Sequence, residues 1–98
     1  MTTKTAPFDP AEFLDDDASI AEFIDASLEA DNAAELANAL GIVARARGMT
    51  QLARDTGLSR ESLYKALSQG GNPELDTLLR VMKALRLKLS VVAANAAE

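Results

Sequence analysis

The chain is 98 residues long, a length that suits one domain with a modest core. It has neither cysteine nor histidine, which removes disulfides, thiolate metal sites, the commonest general base and the commonest nucleophile. Ser, Lys, Tyr and carboxylates alone, with no glycine-rich phosphate loop, make an enzyme the least expected class, and no cofactor is expected. Ala and Leu dominate an apolar fraction of 48 %, which favours helices. No stretch approaches the roughly eighteen consecutive apolar residues of a membrane-spanning helix, and "MTTKTAPFDP" lacks the apolar core of a secretion signal. A cytoplasmic protein is the expectation.

The net charge of −5 hides an asymmetry. Residues 1–40 hold ten acids (Asp9, Glu12, Asp15, Asp16, Asp17, Glu22, Asp25, Glu29, Asp31 and Glu35) against Lys4 alone, giving −9. Residues 41–98 hold nine bases against five acids, giving +4. Opposite signs in the two halves point to a basic partner for the first and an acidic partner for the second. The plainer reading, that the acids keep the protein soluble, stands beside it.

In chain order, residues 1–17 are expected to form a flexible acidic segment, residues 18–92 a helical domain and residues 93–98 a tail. Asp15, Asp16 and Asp17 precede the first helix, where they complement its dipole. No metal site is expected there, because the alternating oxygen ligands, glycine and later Glu of a calcium loop are absent. Ser19 with Glu22 has the capping-box spacing, and Ile20, Phe23, Ile24 and Leu28 form an apolar stripe. The next helix has Asn32 and Glu35 as a cap pair and Ala33, Leu36, Ala37, Leu40, Val43 and Ala44 on one face. Gly41 inside it costs about 1 kcal/mol relative to Ala, so either another helix approaches there or the helix bends. Gly48 ends the helix. Farther on, Asn72 and Pro73 read as a cap and first-turn pair. They lead a helix with Leu75, Leu78, Leu79, Met82 and Leu85 facing inward. "RLKLSVV" then alternates apolar and polar residues, as a short strand does. A lone strand needs a partner for its backbone, either a second copy of the chain or another protein.

Between these elements lies "GMTQLARDTGLSRESLYKAL", residues 48–67. One short helix is expected over about Met49 to Thr56, a turn at Gly57-Leu58, and a second helix starting at the Ser59 N-cap. Gly57 suits the turn because it tolerates positive φ. Ala53, Gly57 and Leu63 have the spacing of a helix-turn-helix, and Leu52, Leu58, Leu63 and Leu67 supply its apolar wedge. Glu61, Tyr64, Lys65 and Ser68 fall at i, i+3, i+4 and i+7, a polar stripe opposite Leu63, Ala66 and Leu67. A helix entering the major groove by its N-terminus would present Arg60, Glu61, Tyr64 and Lys65 to base edges, with Ser62 and Arg54 in reach of phosphates. An ordinary solvated face of a helical bundle is the alternative.

These residues resemble the Cro/repressor-like (XRE) helix-turn-helix family over about residues 32–90. More narrowly, "ARARGMTQLA", "GLSRESLYKAL" and "GNPELDTLL", together with "FDPAEFL", look like the HigA-like addiction-module antidote (antitoxin) family. The resemblance implies an all-α, five-helix-type bundle with a short C-terminal strand. It also implies a homodimer that represses its own operon on double-stranded operator DNA and neutralises a RelE/HigB-like toxin. The implied DNA-contacting residues are Thr50, Gln51, Arg54, Ser59, Arg60, Glu61, Ser62, Tyr64, Lys65 and Ser68. The chain departs from the superfamily at Met49, where Gln is common, and at Arg86, where glycine is common. A basic toxin would match the acidic first half. A stand-alone helix-turn-helix regulator is the second reading, and an interaction module that keeps the motif only as scaffold is the third.

Overall fold

A computed structural model describes residues 16–94. Five helices follow one another: α1 (Asp17–Leu28), α2 (Ala33–Arg47), α3 (Met49–Thr56), α4 (Arg60–Ala66) and α5 (Leu75–Ala84). The described chain is therefore all-α. α1 packs on α2, α2 on α3, and α3 on both α4 and α5. Every helix sends side chains into one core: Ile20 and Ile24, Leu40 and Val43, Met49 and Leu52, Leu63, then Val81 and Met82. None of the helices is long and apolar enough to cross a membrane.

The caps show where local chemistry set the boundaries. Asn32 Oδ1 accepts the amides of Ala34 (2.8 Å) and Glu35 (3.3 Å), so α2 starts where its cap residue predicts. α1 starts earlier than the Ser19–Glu22 capping box implies. Asp16 is its N-cap, with Oδ1 accepting the Ser19 amide at 2.7 Å, because a carboxylate at a helix N-terminus is a stronger acceptor than a hydroxyl. Of the segment expected to be flexible, Asp16 and Asp17 thus belong to the helix, and residues 1–15 lie outside the described residues, as do 95–98 of the tail. α5 has Glu74 as its N-cap without a side-chain bond, so Asn72 and Pro73 stay in the preceding loop.

The inward face of α5 also differs from the sequence pattern. Val81, Met82 and Leu85 are buried, whereas Leu75 is 65 % and Leu79 46 % exposed. Burying Val81 turns the stripe away from Leu79 by a fraction of a helical turn, and Leu75 stands at the helix start with nothing over it. Leu28, at the end of the α1 stripe, is likewise exposed.

Beyond α5 the chain exits through a Schellman turn. The Leu87 amide donates to the Met82 carbonyl (2.8 Å) and the Arg86 amide to Lys83 (3.0 Å). Arg86 occupies the position of this motif that favours glycine, and its φ of 65° is left-handed. Its side chain compensates by bonding Asp17 (Nε to Oδ2, 2.9 Å), whose other oxygen accepts Arg47 Nη2 at 3.1 Å. One carboxylate therefore joins the start of α1 to the end of α2 and to the exit of α5. The expected C-terminal strand is not formed: residues 87–93 run without helix, turn or bend, and no described segment lies alongside to complete a ladder.

Gly41 settles its own alternatives. A Cβ there would run into the carbonyl oxygen of Leu67, which caps the end of α4, so the residue marks a close approach between elements. Gly41→Ala is expected to lose about 1–3 kcal/mol, opposite in sign to its helix-propensity gain, when measured by urea unfolding. The Asp17 carboxyl is held below the ordinary aspartate range, chiefly by its bond to Arg86 and then by Arg47, against a desolvation effect. Its contribution is present above the unfolded value of about 3.9 and is lost as pH falls through the lower folded value. Asp17→Asn should lower thermal stability at neutral pH and flatten the decline below about pH 4.

Candidate nucleic-acid interface

α3 and α4 meet at a turn fastened from three directions. Gly57 takes a left-handed φ of 77° and donates its amide to the Ala53 carbonyl at 2.9 Å. Thr56, buried, donates its hydroxyl to the Leu52 carbonyl (2.8 Å) and accepts the Leu58 amide (3.2 Å). From α5, Arg80 Nη1 donates to the Thr56 carbonyl at 3.2 Å while its Nε pairs with Asp76 at 3.0 Å. Ser59 then opens α4, its Oγ accepting the Ser62 amide at 3.0 Å and donating to Ser62 Oγ at 2.9 Å.

The two faces of α4 have separate fates. Leu63 is fully buried, as is Leu67 directly after the helix. Arg60, Glu61, Tyr64 and Lys65 stand in solvent, with the Arg60 guanidinium 5.8 Å from the Tyr64 ring centroid. That distance is a cation–π contact and holds the cation over the ring, at the start of the exposed stripe. The stripe is shorter than its spacing implies. α4 ends at Ala66, so Ser68 lies beyond it, half-buried, with its hydroxyl donated to the Lys65 carbonyl at 3.1 Å.

On α3, Thr50, Gln51 and Arg54 are all exposed. Gln51 is tied within its own helix: Nε2 donates to Asp55 Oδ1 (2.8 Å) and Oε1 accepts Arg54 Nη1 (3.2 Å). The outer surface of α3 and α4 thus combines three cations, two carboxylates and several hydrogen-bonding groups on short, well-seated helices. Such a surface can meet phosphates through Arg54, Arg60 and Lys65 and base edges through Arg60, Glu61 and Lys65. Among the described residues no group of three or more side chains could hold a metal ion.

Sequence reasoning missed Thr56 and Arg80, which carry no chemistry of their own but set the angle between α3 and α4. A Thr just before a turn glycine is a readable signal, since its hydroxyl can bond back into the preceding helix turn. Arg80 offers no such signal, because its partner lies 24 residues away. Thr56→Val, which keeps the shape and removes both bonds, should cost about 1–2 kcal/mol in thermal or urea unfolding.

Comparison with known proteins places the chain in a family. The chain is 48 % identical over 91 residues to an uncharacterized protein of Haemophilus influenzae, covering 93 % of this chain and 94 % of that one. No solved structure matches it significantly. Residues 4–93, nearly the whole chain, match the family described as probable addiction module antidote protein. The chain belongs to that family, the antitoxins of addiction modules.

Proposed function

We propose that this antitoxin is a cytoplasmic, non-enzymatic repressor that binds operator DNA as a homodimer and also neutralises a RelE/HigB-like toxin. The observation that carries the DNA reading is the two-faced α4. Leu63 is seated in the core while Arg60, Glu61, Tyr64 and Lys65 are free to enter a major groove. α3 with its turn to α4 then serves as a helix-turn-helix, and Thr50 and Arg54 meet the backbone phosphates.

The toxin reading rests on family membership and on charge. α1 exposes Glu22 and Asp25, with Glu29 exposed at its C-cap, and its main packing is on α2, whereas α4 packs mainly on α3. An acidic surface on α1 suits a basic protein partner, steers its approach, and leaves α4 available for DNA. A stand-alone regulator would have the same α4 but no use for the family's toxin-directed role, so the antitoxin reading is preferred.

Gel-shift titration on the DNA upstream of the gene, at two salt concentrations and against a scrambled competitor, tests the repressor role. Specific shifts that weaken steeply with salt are expected. Arg60→Ala with Lys65→Ala should lower operator affinity by about 100-fold or more with helicity unchanged, each lost base contact being worth about 1–3 kcal/mol. Toxin capture by the same variant should be undiminished. Loss of thermal stability in proportion to lost binding would assign these side chains to the fold instead.

A further inference from the structure

The exposed side of α4 carries the one tyrosine of the chain. Phe23, the other aromatic residue among those described, packs against the core, whereas Tyr64 is 41 % exposed. Among the described residues Arg60 forms no ion pair. Its guanidinium instead sits 5.8 Å from the Tyr64 ring centroid, one helical turn on. An arginine already held over a ring loses less freedom when it meets a ligand than one waving in solvent. The ring covers one face of the guanidinium and leaves the N–H edge for an acceptor. We infer that Arg60 and Tyr64 act as one reading unit, Arg60 on guanine O6 and N7 and the Tyr64 ring on the C5-methyl of a thymine in the adjoining base pair.

Chemistry and spacing select that pair of bases. Guanine alone offers two acceptors side by side in the major groove, which suits a fork of two donors. Adenine sets an amino donor beside its single acceptor and so opposes a guanidinium at the same place. The ring face needs an apolar group, and the thymine methyl is the one that the major groove presents. Base pairs stack about 3.4 Å apart, so a separation of 5.8 Å falls short of two steps and places cation and ring on neighbouring pairs. Glu61 and Lys65 each stand about 100° round the helix from their neighbour in the unit, which leaves them for other bases or for phosphates. A phosphate would accept Arg60 as well, but it has no use for the ring.

This inference rests on the DNA reading above and names the sequence that α4 would take. The test is selection by the full-length chain from a pool of duplexes with a randomised core, followed by titration of the enriched site. Each half-site should hold a guanine flanked by a thymine. Replacing that guanine by deazaguanine, which lacks N7, should weaken wild-type binding by about tenfold. Replacing the thymine by uracil, which lacks the methyl, should weaken it by about fourfold. Arg60→Ala should be indifferent to the first exchange and Tyr64→Ala to the second. Tyr64→Ala should also blunt the response to deazaguanine, because the cation loses its support, while Tyr64→Phe should behave as wild type. Helical circular dichroism checks the folding of each variant, and the two base exchanges decide the matter on wild-type protein alone. An enriched site without the guanine–thymine neighbours, or a Tyr64→Ala loss that is equal on every duplex, overturns the inference and keeps the DNA reading. A loss with Tyr64→Phe as large as with Tyr64→Ala assigns the contact to the hydroxyl and overturns it too. A wild type that enriches no sequence overturns the operator reading and this inference with it.

Discussion

The arrangement depends on one close approach: the carbonyl end of α4 rests against the backbone of α2 at Gly41. No side chain larger than hydrogen fits there. Because that contact is made, Leu63 and Leu67 reach the core shared with Leu40, Val43 and Val81, and α4 is fixed in orientation as well as in place. A helix of seven residues is too short to be stable by itself, so its existence is a tertiary effect. The face it shows to solvent is whatever remains after the apolar side is buried.

A second layer of constraint holds the turn into that helix. Gly57 supplies the left-handed backbone, Thr56 satisfies the carbonyl and amide groups on either side of it, and Arg80 reaches from α5 to the Thr56 carbonyl. The polar atoms of this region are thus used twice, to end α3 and to join it to α5. Buried polar groups that are fully partnered rigidify a site, and among the described residues no buried side-chain polar atom lacks a partner. The proposed reading head on α4 is accordingly carried by a rigid support.

Charge is arranged by position along the fold. The acids of α1 lie on an element packed against α2, and Asp17 fastens that element through Arg47 and Arg86. Such exposed pairs contribute little to stability individually, but a single carboxylate shared by two arginines fixes where α1 and the chain exit sit. The exit at Arg86 in turn aims residues 87–93 past α1, with Leu89 and Val91 uncovered. A left-handed arginine in a glycine-favouring position marks how firmly that exit is held.

The sequence by itself determined the elements whose signals are local. Asn32 as a cap, Gly48 as a helix end, Gly57 as a turn and Ser59 as the next cap gave α2, α3 and α4 their boundaries, because each acts through hydrogen bonds or φ values within four residues. The exposure of Arg60, Glu61, Tyr64 and Lys65 was legible for the same reason, from spacing on one short helix. Tertiary structure decided the rest. Asp16 prevailed over Ser19 as the cap of α1, Val81 turned α5 so that Leu75 and Leu79 face outward, and the carbonyl of Leu67 explained Gly41. The short strand read from Leu87, Leu89 and Val91 did not form, since alternation marks a surface fit for pairing while a ladder requires a second strand beside it. Periodicity shows that a side of an element is apolar; only packing decides which part of that side is covered, and by what.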